Sequence, residues 1–513
     1  MSEGAVKPAA HLGLIHDGLD YWAKRKSEAI AVSIDGQALT YGELARWSDG
    51  VAEHLQSLGA GPGANVAIAA GNCLEWIAAA FGIAKTGAKV VPFSDRLLGD
   101  ELAYLAASSQ AKLIVADTER AARLMAAGSQ TPLLALDDLR RCKAGPSFAW
   151  REIRPSSDAV ALIIFTSGST ARPKGVMMTH GSYLLKFMEM RTLDASLGPE
   201  TRAFMPFGLH SSPGLPWGIF FTAALGGTLH ATAKYDAANT LALLTRERIT
   251  FLIGVPMIYE QISRLPAFAN ADFSALAFAR IGGATPQPET LERWLAKGVI
   301  IRQLYGMTEV GGGSIIASSE EALAKPMSCG RGLAFSRFRI VRDDGNECEA
   351  DEPGLVLLRG PGMMAGYWDD PAATAAALED GWMRTGDIGT RDAEGYFSFV
   401  DRAKEMIKSG GFNVSPAEIE GVIGAMPGVI EVAAFAIPDA KFADAKFAEA
   451  PCVCVRGAAD VTVTAIDAWC ASRLAGFKRP RQITIVDEPL PRLANEKIER
   501  RALKAAYGGA AAP

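Results

Sequence analysis

The sequence predicts an α/β protein: a large N-terminal region of doubly wound sheets, closed by a small β-subdomain and followed by a small α+β domain. Three observations predict it. Short apolar runs alternate with helical stretches from Thr40 to Ile281, as in a parallel sheet covered on both faces. Between Gly354 and Val400 the pattern turns to short strands and glycine-rich turns. A charged run, Asp401-Arg402-Ala403-Lys404-Glu405, then precedes a second alternation of strands and helices. At 513 residues the chain exceeds what one hydrophobic core serves. The expected division is a large domain over 1–400, a boundary at 401–405 and a small domain over 406–513.

Each element has a local reason. Thr40, with Glu43 three positions on, opens a helix whose apolar face carries Leu44, Val51, Leu55 and Leu58, and Gly59 stops it. Val66–Ala70, Ala88–Pro92 and Lys112–Ala116 read as buried strands, with Trp76–Lys85 and Asp100–Ala107 as the helices between them. The alternation resumes with strands at Ala159–Phe165, Thr201–Met205, Phe251–Val255 and Ala279–Ile281. Leu355–Leu358 and Tyr396–Val400 supply strands of the β-subdomain. Beyond the charged run, Ser415-Pro416-Ala417-Glu418 reads as a capping box with proline at the first helical position, and Pro427-Gly428 ends that helix. Strands at Val429–Ile437, Pro451–Val455 and Gln482–Val486, with a helix at Thr464–Leu474, complete the small domain.

Composition excludes several classes of function. A net charge of −5 gives no electrostatic case for nucleic acid, so small molecules are the expected partners. The seven cysteines are odd in number and scattered without a C-x-x-C pair, which points to reduced thiols rather than a disulfide framework or a zinc site. No apolar stretch reaches the roughly 18 residues of a membrane span, and the first residues lack an apolar leader core. A cytoplasmic setting is expected; a homodimer stays open.

Residues 163–175 read Ile-Ile-Phe-Thr-Ser-Gly-Ser-Thr-Ala-Arg-Pro-Lys-Gly. An apolar run leads into Thr166, Ser167, Gly168, Ser169 and Thr170, with Lys174 close behind. Backbone N–H groups of a small-residue turn, hydroxyl donors and an ammonium together suit phosphate oxygens. The spacing is not that of a Walker A loop, because Pro173 stands where its second glycine would be. A Ser/Gly/Thr surface loop is the alternative for this stretch taken alone.

That stretch resembles the phosphate loop of the adenylate-forming superfamily, which includes acyl-CoA synthetases, insect luciferases and the adenylation domains of nonribosomal peptide synthetases. Four further segments match the same family in the same order: Tyr305-Gly306-Met307-Thr308-Glu309; Trp382-Met383-Arg384-Thr385-Gly386-Asp387; Asp401 to Gly411; and Pro491-Arg492 with Lys497. The resemblance runs from Leu39-Thr40-Tyr41 nearly to the C-terminus. It implies the adenylate-forming fold with a mobile small domain, and MgATP and coenzyme A as co-substrates.

The resemblance also implies roles. Glu309 is the expected Mg2+ ligand, a hard oxygen donor that suits that ion, and Thr308 a hydroxyl on the α-phosphate; pairing of Glu309 with an arginine is the alternative. Asp387 is expected on the ribose hydroxyls as a two-oxygen acceptor, with Arg402 beside it. Gly282, Gly283 and Ala284 follow an apolar strand and, with Tyr305, are expected around adenine; a tight strand-to-loop turn fits the glycines equally. Lys497 is expected to bridge carboxylate and phosphate as charge develops during attack on the α-phosphorus. A solvated face shared with Arg492, Arg500 and Arg501 is the alternative for this lysine. Lys404 falls at the family's hinge, and Lys408, Gly410 and Gly411 on the face expected to serve thioester formation once the small domain turns. Two departures from the family pattern are Glu496, where glycine usually precedes the lysine, and Ala171, which replaces a glycine of the phosphate loop.

The acyl side is expected to use His210, Ser211, Ser212, Gly282, Met307 and Gly311, with His210 positioning and gating the site. Amino-acid-activating relatives need a buried anion for the substrate ammonium, and residues 204–214 contain none. The glycines 311–313 either widen the pocket or relax a loop. No arginine stands in these segments, so the implied substrate is a monocarboxylic acid with a hydrophobic body, fatty, aromatic or cyclic. The implied reaction makes an acyl-adenylate and pyrophosphate, then acyl-CoA and AMP. Delivery to a carrier protein and a non-catalytic ATP-binding relative are the rival readings.

Overall fold

The structure, a computed structural model, describes residues 13–147, 150–166, 173–409, 412–438, 449–492 and 498–508. Packing divides the chain into two compact units: Met1–Phe338 with Leu358–Arg384, and Arg339–Leu357 with Thr385–Pro513.

The first unit contains two large sheets. In one, the strands run in the order Gly366–Tyr367, Lys174–Thr179, Val160–Thr166, Lys89–Phe93, Asn65–Ala69, Leu113–Ala116 and Leu133–Ala135. Its last five strands are parallel, and their nearly unbroken Val/Ile/Ala runs are what a sheet covered on both faces requires. In the other, six parallel strands from Ile301–Met307 through Phe278–Ile281, Phe251–Gly254, Arg202–Phe204 and Thr228–Ala231 to Ile30–Ile34 carry an antiparallel partner at each edge, Gly312–Ile316 and Gln37–Thr40.

The helix over Tyr41–Ser57 forms for the reason its sequence gives. Thr40 Oγ1 accepts the Glu43 amide at 3.2 Å and Glu43 Oε2 accepts the Thr40 amide at 2.8 Å. Gly59, at φ +82°, turns the chain out of it. The next helix, Leu74–Lys85, approaches so closely that a Cβ on Gly82 would lie 2.5 Å from Val51 Cγ1. Small residues here let the buried Trp47, Trp76 and Phe81 fill the layer. Among the described residues no helix is long and apolar enough to cross a membrane, and all seven cysteines are free.

The second unit contains residues 354–357 and 385–391 of two sheet strands, with Phe397–Arg402 paired antiparallel to the latter. It also contains a three-stranded sheet of Val429–Pro438, Glu449–Gly457 and Gln482–Ile485. Helices Pro416–Gly424 and Val463–Ala471 pack their apolar residues with one face of this sheet, and Leu503 of the helix Arg500–Tyr507 packs with the other.

Two local expectations change, and one alternative loses a member. The strand Phe397–Arg402 runs into the charged segment, so Asp401 and Arg402 are sheet residues rather than linker. Asp401 Oδ2 accepts the Ser415 hydroxyl at 2.6 Å and the Ala417 amide at 3.0 Å, and thereby caps the helix beginning at Pro416. The box at Ser415 is half made: its hydroxyl accepts the Glu418 amide at 3.3 Å, while the Glu418 carboxylate binds Lys478 Nζ at 2.6 Å. That helix ends at Gly424, ahead of Pro427-Gly428. Arg500 is not part of a solvated face. It binds both oxygens of Glu420 at 2.8 Å and Glu405 at 2.8 Å.

Candidate active site

In the first unit the candidate site is assembled at the ends of adjacent strands. Strand Ile301–Met307 brings Tyr305 to 8 % exposure and ends at Met307, where a short 3₁₀ turn carries Thr308, half-buried, and Glu309, buried. Glu309 Oε1 accepts the hydroxyl of Tyr367 at 3.0 Å, and the Glu309 carbonyl accepts the Met364 amide at 2.8 Å. Burial and the neighbouring Glu309 charge both push the Tyr367 phenol up, so it remains a donor. The ring of Tyr367 has Lys174 Nζ 5.0 Å from its centroid. Lys174 in turn faces Thr166 across the hairpin that carries the expected phosphate loop. One tyrosine therefore stands between the candidate metal ligand and the candidate phosphate lysine. Ser167, Gly168, Ser169 and Thr170 lie outside the described residues.

A buried ion pair supports this turn. Lys186 Nζ lies 2.7 Å from Glu189 Oε2 and 2.9 Å from Ser336 Oγ, and Glu189 Oε1 accepts the amides of Phe335 at 2.8 Å and Ser336 at 2.6 Å. The methylenes of Lys186 run beside Gly311 and Gly362. Every polar atom of this pair has a partner, the condition under which a buried ion pair is tolerated.

The strand Phe278–Ile281 ends at Gly282, where a Cβ would lie 2.6 Å from Leu304 Cδ1; Gly283, at φ +84°, and Ala284 then emerge exposed. The turn reading and the close-approach reading both hold here. Asn72 pins the loop that carries His210. Its Oδ1 accepts the Leu209 amide at 2.7 Å, and its Nδ2 donates to the carbonyls of Phe207 at 3.1 Å and Thr232 at 2.9 Å. The His210 ring lies against Gly208. Burial lowers its pKa to about 4, with partial relief from Asp95, so the ring is neutral at ordinary pH. Asp95 Oδ1 lies 3.7 Å from His210 Nδ1. The segment 204–214 has no acid of its own, but folding brings one to it.

Ser211 Oγ donates to the Gly208 carbonyl at 2.7 Å and accepts the Gly214 amide at 3.0 Å, and Ser212 precedes a π-helix over Pro213–Phe221. Such helices are rare and gather at functional sites. Trp217 of this helix donates Nε1 to the Gly311 carbonyl at 3.1 Å. A Cβ on Gly312 would lie 2.6 Å from that nitrogen, and one on Gly306 1.9 Å from the Gly312 carbonyl. The room that the glycines 311–313 make is filled by the indole and by their own hairpin. Tyr367, Trp217, Asn72 and Asp95 had no signal in the sequence beyond their residue type.

In the second unit Asp387 and Arg402 are direct cross-strand neighbours, with Arg402 Nε 3.3 Å from Asp387 Oδ1. Asp387 is buried, and its amide donates to Thr385 Oγ1 at 3.1 Å. Lys404 lies in a turn that begins where the Ala403 amide meets the Gly386 carbonyl at 3.0 Å. The Lys408 amide donates to Glu449 Oε2 at 2.9 Å. Gly410, Gly411 and Lys497 lie outside the described residues. The flanks of Lys497 are fixed: Arg492 and Ile498 form an antiparallel bridge, and Arg492 is paired with Glu431.

Residues 19–368 match the AMP-binding enzyme family, and residues 418–497 match its C-terminal domain. The chain is 33% identical to a feruloyl-CoA synthase of an Amycolatopsis species, over 96% of this chain and 100% of that protein. It is also 33% identical to a long-chain-fatty-acid–CoA ligase of Mycobacterium tuberculosis, over 91% and 93%. Among solved structures, the o-succinylbenzoate coenzyme A synthetase of Bacillus subtilis in complex with ATP and magnesium matches with a TM-score of 0.85 at 26% identity, over 95% and 99% of the two chains. The chain belongs to the AMP-binding enzyme family, in its acyl-CoA synthetase branch, and is an AMP-forming acid:CoA ligase.

Proposed function

We propose that this ligase activates a carboxylic acid with a hydrophobic body, fatty, aromatic or cyclic, using MgATP, and passes the acyl group to coenzyme A. The observation that carries the site reading is the buried Glu309 carboxylate, held by Tyr367 beside the Lys174 ammonium. Glu309 offers the hard oxygen that Mg2+ prefers, and the metal, when bound, offsets charge on the leaving pyrophosphate. Thr308 hydrogen-bonds the α-phosphate, while Lys174 and the hydroxyl-rich residues 166–170 hold the outer phosphates. Tyr305 with Gly282, Gly283 and Ala284 flanks adenine, and Asp387, oriented by Arg402, accepts the ribose hydroxyls.

To Lys497 we assign the charge that offsets the repulsion between the attacking carboxylate and the α-phosphate. To Lys404 we assign the hinge role, and to Lys408, Gly410 and Gly411 a role in the thioester step. The neutral His210 ring positions the acyl group without adding charge. A hydrophobic acyl body is supported by relatives named for feruloyl and long-chain fatty substrates.

The test is pyrophosphate release with MgATP and a panel of fatty, aromatic and cyclic acids, each with and without coenzyme A. Release stimulated by coenzyme A with one class supports the proposal. Release indifferent to coenzyme A would move the acceptor to a carrier protein.

A further inference from the structure

Arg280, on the strand Phe278–Ile281, is 1 % exposed. Its guanidinium makes one hydrogen bond, from Nη1 to the Ala317 carbonyl at 2.7 Å. Nε and Nη2 are buried and have no hydrogen-bond partner among the described residues. In the parallel register Arg280 stands directly beside Arg302, which is also buried and whose Nε is likewise unpartnered. Both guanidinium groups stack on the ring of Phe278, at 4.1 and 4.6 Å from its centroid. The nearby acid is Asp194, and it is engaged on both oxygens: Oδ2 takes Arg302 Nη2 at 2.7 Å, and Oδ1 takes the amide and hydroxyl of Ser196. Among the described residues, two cations against one anion leave this layer with an unbalanced positive charge. Burying a charge unpaired is among the costliest arrangements in a fold, so packing alone does not explain an arginine here.

Its position suggests a purpose. Ala279 and Ile281 face the core with Leu252 and Trp294, so strand alternation puts Arg280 on the opposite face, the same face as Gly282 and one step deeper. On that face Phe278 packs on Phe251, Phe251 on Phe221 and Phe221 on Trp217, at centroid distances of 4.7, 6.3 and 5.2 Å. This aromatic row runs from Phe278, beside Arg280, to Trp217 of the π-helix, whose indole meets Gly311, a residue assigned above to the acyl group.

We propose that Arg280 is a specificity-determining residue: its unpartnered guanidinium nitrogens bind an acceptor oxygen, carboxylate or ketone, at the end of the acyl substrate remote from the reacting carboxyl. The inference rests on the acyl-site reading above and refines it, from a plain hydrophobic acid to one whose apolar body ends in an acceptor. A carboxylate would balance the charge of the layer, and a ketone would satisfy the donors without balancing it. A terminal methyl would do neither, and a site built to hydrogen-bond a group rejects the analogue that lacks it.

The experiment uses three acids of equal length ending in methyl, ketone or carboxylate, with wild type, Arg280→Met and Arg280→Gln. In wild type, kcat/KM for pyrophosphate release should favour the acceptor-bearing acids over the methyl acid by about 100-fold, the discrimination expected of hydrogen bonds to a buried charge. Arg280→Met should abolish that preference and melt no lower than wild type, since it removes an unbalanced charge. Arg280→Gln should keep the ketone above the methyl acid and lose the carboxylate. A wild-type preference for the methyl acid, or a ratio unchanged by both variants, overturns the inference. Inorganic phosphate or chloride that raises the melting temperature of wild type but not of Arg280→Met, with acid preference unaltered, also overturns it, in favour of a resident inorganic anion. If no acid releases pyrophosphate, the reading of the active site fails instead. Thermal shifts by the three acids, without ATP or coenzyme A, would still rank them for Arg280.

Discussion

The hydroxyl of Tyr367 donates to Oε1 of Glu309 at 3.0 Å, although 58 residues separate them in the chain. The bond fixes one oxygen of a buried carboxylate, and with it the direction in which the carboxylate presents its remaining lone pairs. Tyr367→Phe keeps the ring beside Lys174 and removes only this bond. Loss of one hydrogen bond to a charged group is worth about 1.5–3 kcal/mol, so adenylation should fall by about 10- to 100-fold and need more Mg2+. Titrating pyrophosphate release against Mg2+ checks this; an unchanged Mg2+ dependence would detach Glu309 from metal binding.

Lys186 and Glu189 make a second test of the same turn, through its support. Glu189→Gln leaves the Lys186 ammonium buried without a counter-charge, a change that typically costs about 3–5 kcal/mol. The thermal unfolding midpoint should drop by several degrees. Lys186→Met combined with Glu189→Gln removes both charges and should recover much of that loss, because the stem that packs on Gly311 and Gly362 is kept. A double variant no more stable than Glu189→Gln would show that the backbone amides of Phe335 and Ser336, not the charge, set the stability.

What the sequence made legible follows from the range of the interactions. The Thr40–Glu43 box and the buried strand runs depend on neighbours within four residues or on simple alternation, and each expected strand has an observed counterpart within a residue or two. The Ser415 box is local too, yet half of it is lost, because Lys478 and Asp401 compete for its groups from afar. In the candidate site, the segments holding Lys174, Tyr305 and Glu309 could be read as segments. Their links could not: Tyr367 between Lys174 and Glu309, Asp95 beside His210, and Trp217 against Gly311 are all contacts between distant parts of the chain. The glycines 311–313 could not be interpreted before Trp217 was seen to occupy the space they leave.

Three histidines whose pKa values are lowered by burial predict acid sensitivity. Burial lowers His180 to about 3 and His210 and His230 to about 4. In the unfolded chain they titrate near 6.5. Below that pH the unfolded state takes up protons that the folded state refuses, so the contribution is fully present above about pH 6.5 and is lost as pH falls toward 4. Each histidine contributes a slope of about 1.4 kcal/mol per pH unit in that window. Urea unfolding at pH 7 and pH 5 should show the loss, and His230→Gln should make it shallower. Equal stability at the two pH values would mean that these rings take up protons in the folded state.

Lys497 offers the sharpest division of the reaction into its halves. The segment 493–497 is flanked by the Arg492–Ile498 bridge, with Arg492 paired to Glu431 and Arg500 held by Glu420 and Glu405. Trimming the lysine leaves these anchors intact, so Lys497→Ala should fold normally. If the ammonium offsets repulsion only while the carboxylate attacks the α-phosphorus, adenylation should fall by about 10²–10³-fold, the loss that follows removal of one preorganised donor. Thioester formation from supplied acyl-adenylate and coenzyme A should persist, since that step has no attacking carboxylate. Equal loss of both half-reactions would assign Lys497 to the framework of the small domain instead, and would leave the Glu496 that precedes it as the residue whose charge must be explained.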